Sequence, residues 1–262
     1  MHIIVCVKQV PDTTEAELHI DEGERAIKTE GLVFDINESD NYAIEEALLL
    51  KERLGGSVTV ITMGPEGAEE VLRKCLAKGA NRAILLWDEA FKGSDAYAVS
   101  KILHSTIKDM SFDLVLTGAL ASDDGYMAVG VMLAELLGVP HASMVKKIEV
   151  KDESVMVNRE LEGGLEELVD VRTPAVLTIH TGINEPRYVS IMGMRRVRDK
   201  PIDILSLNDL GLSKEEVGEA GSWVRVKRVF IPSIEKNMMF FSGTPDEIAR
   251  SIAEILRTNG VI

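Results

Sequence analysis

The stretch from Val58 to Trp87 reads VTVITMGPEGAEEVLRKCLAKGANRAILLW. It begins with a short apolar run, Val58 to Met63, rich in β-branched residues and closed by Gly64-Pro65, a turn pair. Ala68, Val71, Leu72, Cys75 and Leu76 follow at i, i+3, i+4, i+7 and i+8, which is the stripe of a helix with one buried face. Gly79 stands where a helix commonly ends in a left-handed residue. Arg82 to Trp87 is a second apolar run. Strand, helix and strand in this order specify two parallel strands joined by a helical crossover.

The alternation extends in both directions. Ile3 to Val10 is a strand candidate, and Asn41 to Leu54 carries Ile44, Ala47 and Leu48 on one helical face. Downstream, Ser94 can cap a helix bearing Val99, Ile102, Leu103 and Thr106. Leu114 to Thr117 is another strand, and Met127 to Leu137 another helix, stopped by Gly138 and Pro140. The expected fold is α/β: a mainly parallel sheet with helices on both faces, adenine-nucleotide-binding and Rossmann-like. From 142 to 181 the helices drop out. Met144 to Val150, Val155 to Leu161, Leu165 to Val171 and Ala175 to Thr181 read as an antiparallel addition. Past Gly182 the periodicity fades until Thr244-Pro245-Asp246-Glu247, a cap, an N1 proline and a reciprocal glutamate. A final helix bears Ile248, Ile252, Ile255 and Leu256. The expected division is a domain over 1–182 and an arm with a helix over 183–262, the arm lying on a partner.

Bulk properties exclude several functions. The chain has 262 residues, is 45% hydrophobic and carries a net charge of −14. So acidic a surface repels a phosphate backbone, so no nucleic-acid partner is expected. Two cysteines in apolar segments point to buried thiols in a reducing compartment, and five histidines show no ligand spacing, so no metal is expected. The start, MHIIVCVKQVPD, goes directly into a strand-like run and does not read as a signal peptide. No run reaches about 18 apolar residues. A cytoplasmic or matrix-like location is expected.

In open α/β sheets ligands bind beyond the carboxyl ends of the strands. Four segments fall there: Lys8 to Asp12, Asn37 to Asp40, Met63 to Gly67 and Gly118 to Gly130. The last, GALASDDGYMAVG, follows a strand and opens a helix, whose first N–H groups suit an anion. Gly118, Ala119, Ala121, Ser122 and Gly125 are small enough for a ligand to reach the backbone, and Gly130 would admit a phosphate or sugar. It is neither GxGxxG nor a P-loop, so a plain tight turn fits the same residues. Asp123 and Asp124 oppose a phosphate; they would cap the helix or take ribose hydroxyls. Asn37, Glu38, Ser39 and Asp40 likewise read as a site or simply as helix capping.

Four passages carry a family resemblance: VCVKQVPDT at 5–13, MGPEGAEEVLRKCLAKGANRA at 63–83, RELEGGLEELVDVRTPAVLT at 159–178 and INEPRY at 183–188. The whole chain resembles the beta (small) subunit of electron transfer flavoproteins. The resemblance makes the third passage a structural hairpin, with Gly163-Gly164 permitting the reversal. It implies an electron carrier rather than an enzyme, paired with a larger alpha subunit that holds most of the FAD. It implies a structural AMP in this subunit. The AMP residues would be Cys6, Val7, Lys8, Asn37, Glu38, Ser39, Asp40, Met63, Gly64 and Gly118. Asp123, Asp124, Gly125, Tyr126, Met127 and Ala128 would continue the site. Val129, Gly130, Val131, Met132, Leu133 and Ala134 would complete it. The segment from Tyr188 to Arg198 would dock partners through Tyr188, Ile191, Met192, Arg195 and Arg196, with isoleucine at 191 where many members carry leucine. The implied partners are a donor dehydrogenase and an acceptor, a transiently bound membrane-associated oxidoreductase among them.

Two other readings stand beside this one. A subset of the family bifurcates electrons, with a second FAD in this site and NADH as donor. VKQVPDT resembles that subset, but its usual loop, GRQAIDGDTAQVGP, differs from the GALASDDGYMAVGV at 118–131, where Ala119 and Leu120 replace arginine and glutamine. A nucleotide-sensing module of the universal-stress type shares this kind of fold but would end near residue 150.

Overall fold

The computed structural model describes residues 1–262 except 15 and 233–237. The strands are β1 (His2–Cys6), β2 (Gln9–Pro11), β3 (Phe34–Ile36), β4 (Ser57–Met63), β5 (Arg82–Leu86), β6 (Leu114–Gly118), β7 (His141–Val150), β8 (Ser154–Glu160), β9 (Glu166–Arg172), β10 (Ala175–Ile179) and β11 (Asp203–Leu205). The helices are α1 (Glu38–Leu54), α2 (Glu69–Lys78), α3 (Ala96–Ile107), α4 (Val129–Leu137), α5 (Ile191–Val197), α6 (Gly218–Gly221) and α7 (Pro245–Thr258). Nine strands form one sheet in the order β11-β5-β4-β1-β6-β10-β7-β8-β9. All neighbours from β11 to β7 run parallel; β8 and β9 are antiparallel additions.

The period-two pattern of β1 divides the core between the two sheet faces. Ile3 and Val5 pack with Ala43, Ile44, Ala47 and Leu48 of α1 and with Val71, Leu72 and Cys75 of α2. Ile4 and Cys6 point the other way, to Ile102, Leu103 and Ile107 of α3 and Leu133 and Ala134 of α4. Both thiols are buried, and burial pushes that of Cys75 up to about 12 and that of Cys6 higher still, so neither is a nucleophile at neutral pH.

Several boundaries depart from expectation. The run from Ile3 to Val10 breaks after Cys6, and Gln9–Pro11 pairs instead with Phe34–Ile36 in a separate two-stranded ribbon. Helix α1 starts three residues earlier than expected, at Glu38 rather than Asn41. Asp95, not Ser94, caps α3: its side chain accepts from the N–H of Ala98 at 2.9 Å. Ser94 Oγ instead accepts from the N–H of Gly218. β10 is not part of the antiparallel addition; it slots between β6 and β7, parallel to both. The hairpin turns as expected, Gly163 and Gly164 having φ of 76° and 75°, a region costly for any side chain.

The segment expected to leave the body at 183 stays on it as far as Ser222. Helix α5 lies against α2, with Gly193 close to the Ala77 carbonyl and Arg73 Nη1 donating to the carbonyls of Val197 and Lys200. β11 extends the sheet beside β5, and Leu207, Leu210 and Val217 enter the core. Short elements and isolated apolar residues carry this packing, which is why no periodicity announces it. Beyond, the described residues from Trp223 to Phe241 contain no helix or strand, and no residue of α7 is buried. The capping box of α7 forms, with Thr244 and Glu247 bonding reciprocally.

Candidate functional site

The carboxyl ends of β1, β4, β6 and β10 meet at a cavity of about 220 Å³. The chain winds outward from β1 through β4 and β5 on one side, and the later strands from β6 lie on the other. The cavity therefore sits at the switch point, where such sheets bind ligands. Cys6, Val7, Lys8, Met63, Thr117 and Gly118 form its floor. The loop between β6 and α4 roofs it, and the starts of α1, α3 and α4 wall it.

One carboxylate ties the floor together. Asp40 is 6% exposed and accepts from the backbone N–H of Lys8 and of Gly118, each at 2.7 Å. Gly118 must be glycine, because a Cβ there would lie 2.4 Å from Asp40 Oδ1. Burial pushes the Asp40 carboxyl from an ordinary 3.8 up to about 6, with the N–H donors pulling the other way. Between about pH 4 and pH 6 the folded protein thus binds more protons here than the unfolded chain. This group's contribution to stability falls as pH rises through that window, by about 3 kcal/mol in all. Urea midpoints at pH 4.5 and 6.5 check this: Asp40→Asn should flatten the change between them, and an identical change in wild type and variant would refute the assignment.

The roof is fastened at two points. Asn37 holds the cap position of α1 but makes no capping bond. Its side chain crosses over instead, Nδ2 donating to the Leu120 carbonyl at 2.8 Å and Oδ1 accepting from the N–H of Ser122 at 3.1 Å. Lys8 Nζ donates to Asp123 at 2.6 Å and to Asp124 at 2.8 Å. Burial opposes the charge on Lys8, yet these carboxylates outweigh it and hold its pKa above the ordinary value. The two aspartates therefore neither cap α4 nor face the cavity as free charges.

Helix α4 begins at Val129, two residues later than expected, with Ala128 at its cap position and no side chain bonding its first N–H groups. Val129 and Gly130 line the cavity. Helix α3 also starts at the cavity, but the carboxylate of Asp95 already fills that end. Of the two, only α4 offers free N–H groups to an anion. Gly130 also has a packing reason. A Cβ there would lie 2.5 Å from Thr117 Oγ1 and 2.6 Å from Thr178 Cγ2. Its missing side chain lets α4 lie against the sheet at the cavity's edge.

The structure gathers Cys6, Val7, Lys8, Asn37, Asp40, Met63, Gly118, Asp124, Tyr126, Met127, Ala128, Val129 and Gly130 around the cavity. The other expected residues stand behind it. Glu38 is exposed on the first turn of α1, and Ser39 is buried beneath Gly118. Gly64 packs on Ala68, Asp123 bonds Lys8, and Gly125 turns the roof with φ of 67°. Val131 and Met132 are half-buried on α4, while Leu133 and Ala134 belong to the core. Sequence reading missed Ile61, Thr117, Thr178 and the Ser94–Val99 wall, since strand interiors and a second helix start carry no motif.

Tyr188, Ile191, Met192, Arg195 and Arg196 form a separate exposed surface, with Tyr188 99% and Ile191 76% accessible. The INEPRY passage fixes it to α1. Asn184 Nδ2 donates to Glu46 and to the Tyr42 carbonyl, and Arg187 pairs with both Glu45 and Glu52. Among the described residues no helix is long and apolar enough to cross a membrane, and no cluster of His, Cys, Asp or Glu could hold a metal.

A parallel, doubly wound sheet with a ligand-sized cavity at its switch point defines an open-sheet α/β binding protein, a class that serves many functions. The model of the electron transfer flavoprotein domain matches residues 25–210. The chain is 41% identical to the electron transfer flavoprotein subunit beta of Methylophilus methylotrophus, covering 98% of each chain. It is 40% identical to the subunit of the same name from Thermoanaerobacterium thermosaccharolyticum, over 100% of both. It is 39% identical to the caffeyl-CoA reductase-Etf complex subunit CarD of Acetobacterium woodii, again over 100% of both. The chain belongs to the electron transfer flavoprotein family, as a beta subunit.

Proposed function

We propose that this chain pairs with an alpha subunit, carries electrons from a donor dehydrogenase to an acceptor through FAD held mostly by that subunit, and holds a structural AMP in its own cavity. The flavin supplies the one- and two-electron chemistry. This chain contributes the nucleotide site, the docking surface and the arm, and makes or breaks no substrate bond. The reading rests on the uncapped start of α4 at a cavity whose aspartates are paired with Lys8. A phosphate there meets free N–H groups. The cavity, about 220 Å³, is lined by both apolar side chains and these backbone groups, as a nucleotide site requires. The second reading places another FAD in this cavity, with electron bifurcation. Denaturing the purified heterodimer and chromatographing the released nucleotides tests this. AMP and FAD in equal amounts are expected; two FAD and no AMP would establish the bifurcating arrangement instead. The protein would work in the cytoplasm.

The arm supplies the reason for a partner. Trp223, Phe230, Ile231, Met238 and Phe240 are each more than half exposed, a run of apolar surface that the alpha subunit would cover. Docking of the donor would centre on Ile191, an apolar side chain flanked by Arg195 and Arg196. Ile191→Ala should slow transfer from the donor dehydrogenase about tenfold at limiting carrier, with assembly and flavin spectrum unchanged. The wild-type rate should also fall with added salt. An unaltered rate in the variant would remove Ile191 from the docking surface.

A further inference from the structure

The root of the arm and the wall of the cavity share one residue. Asp95 lines the cavity and caps α3 through Oδ1, which accepts from the N–H of Ala98. Its Oδ2 accepts from the N–H groups of Trp223 and Val224, each at 2.8 Å. Its own N–H donates to Ser222 Oγ at 2.8 Å. Next to it, Ser94 accepts from Gly218, and Tyr97 stacks on Trp223 with ring centroids 4.0 Å apart. Beyond this knot, Arg225 Nη2 donates to the Glu219 carbonyl, Arg25 Nε donates to the Val226 carbonyl, and the Val229 N–H donates to that of Glu24. Asp95 thus holds the first residues of the arm, Trp223 and Val224.

We propose that Asp95 couples the cavity to the arm, so that a nucleotide bound in the cavity tightens the arm's attachment at Trp223 and Val224. This rests on the cavity being the nucleotide site. Ser94, Asp95 and Ala96 are a single layer of chain, with the cavity on one side and the arm root on the other. With the cavity filled, that layer has packing on both sides and its fluctuations are smaller. Ordering paid for by the first ligand then need not be paid for by the second event. The coupling is reciprocal: an arm held by the partner subunit makes the nucleotide bind more tightly. Asp95 is a positioning residue here, acting through the backbone of the arm.

Hydrogen exchange on the full chain, stripped of nucleotide and then titrated with AMP, tests the coupling, with AMP binding measured separately by equilibrium dialysis. In the wild type AMP should slow exchange at residues 223–226 by about fivefold or more. Asp95→Ser keeps an oxygen to cap α3 but loses the one that holds the arm. It should fold with an unchanged helix signal and still bind AMP, about fivefold more weakly. Exchange at 223–226 should then be fast with or without AMP. If AMP binds the wild type and leaves 223–226 unchanged, or if Asp95→Ser keeps the full response, Asp95 is only a helix cap and the inference fails. If dialysis detects no AMP binding to the wild type, the nucleotide reading fails first and this coupling with it.

Discussion

Gly130→Ala is expected to destabilise the protein by about 2–3 kcal/mol and to abolish the nucleotide binding proposed for the cavity. The new methyl group would stand 2.5 Å from Thr117 Oγ1 and 2.6 Å from Thr178 Cγ2. Neither threonine can withdraw easily. Both lie in central strands, with side chains branched at Cβ, and Thr178 Oγ1 accepts from the N–H of Met144. Relief must come from α4 moving off the sheet, and that carries the free N–H groups of its first turn away from the floor. Gly130→Leu should do the same more severely. Urea midpoint and nucleotide per chain are the measurements. A midpoint equal to wild type with nucleotide fully retained would show that the helix tolerates the displacement.

Arg187→Ala is expected to cost about 2–4 kcal/mol and to loosen the proposed docking surface around Ile191. Glu45 is buried on α1, and Arg187 is the one cation in direct ion-pair contact with it among the described residues. The guanidinium also reaches Glu52 at 2.7 Å, so one side chain spans two carboxylates of the same helix. Removing it leaves Glu45 charged and unpaired in a desolvated place. The estimate is kept below that for a fully buried pair because Arg187 is partly open to water and Glu52 is exposed. Arg187→Lys should rescue only part, since an ammonium cannot hold both carboxylates with a planar fork. Thermal melting gives the stability change, and hydrogen exchange over 188–197 reports the docking surface. Unchanged exchange there would separate the ion pair from docking.

The parallel core was legible because its signals are periodic. The alternation around Val71, Leu72, Cys75 and Leu76 and the apolar runs of β1, β4, β5 and β6 reflect burial on both sheet faces. The site was half legible. Asn37 and Asp40 stood out as polar residues at a strand end, but a cap and a long-range clamp use the same side chains, and only the fold shows Asn37 reaching Leu120. Thr117 and Thr178 left no trace because a threonine in a strand is ordinary. Asp95 was hidden behind Ser94, an equally good cap by composition. β11 and α5 escaped notice because three and seven residues are too few to show a period. The hairpin glycines at 163 and 164 were read correctly for a local reason, since positive φ depends on no distant partner.

The two rims of the sheet are not alike. At one rim β11 offers three residues, too little to template another strand. At the other, β9 presents seven, with Leu168 and the preceding Leu165 exposed, which invites further strands to add on. The same strand carries Glu166, Glu167 and Asp170. Glu167 pairs with Arg159 and Asp170 lies 4.0 Å from Lys151, so a second copy meeting this rim would have to strip water from a row of exposed charges of both signs. Nascent chains crowded on a polysome are thus kept from zipping together at the one rim long enough to allow it.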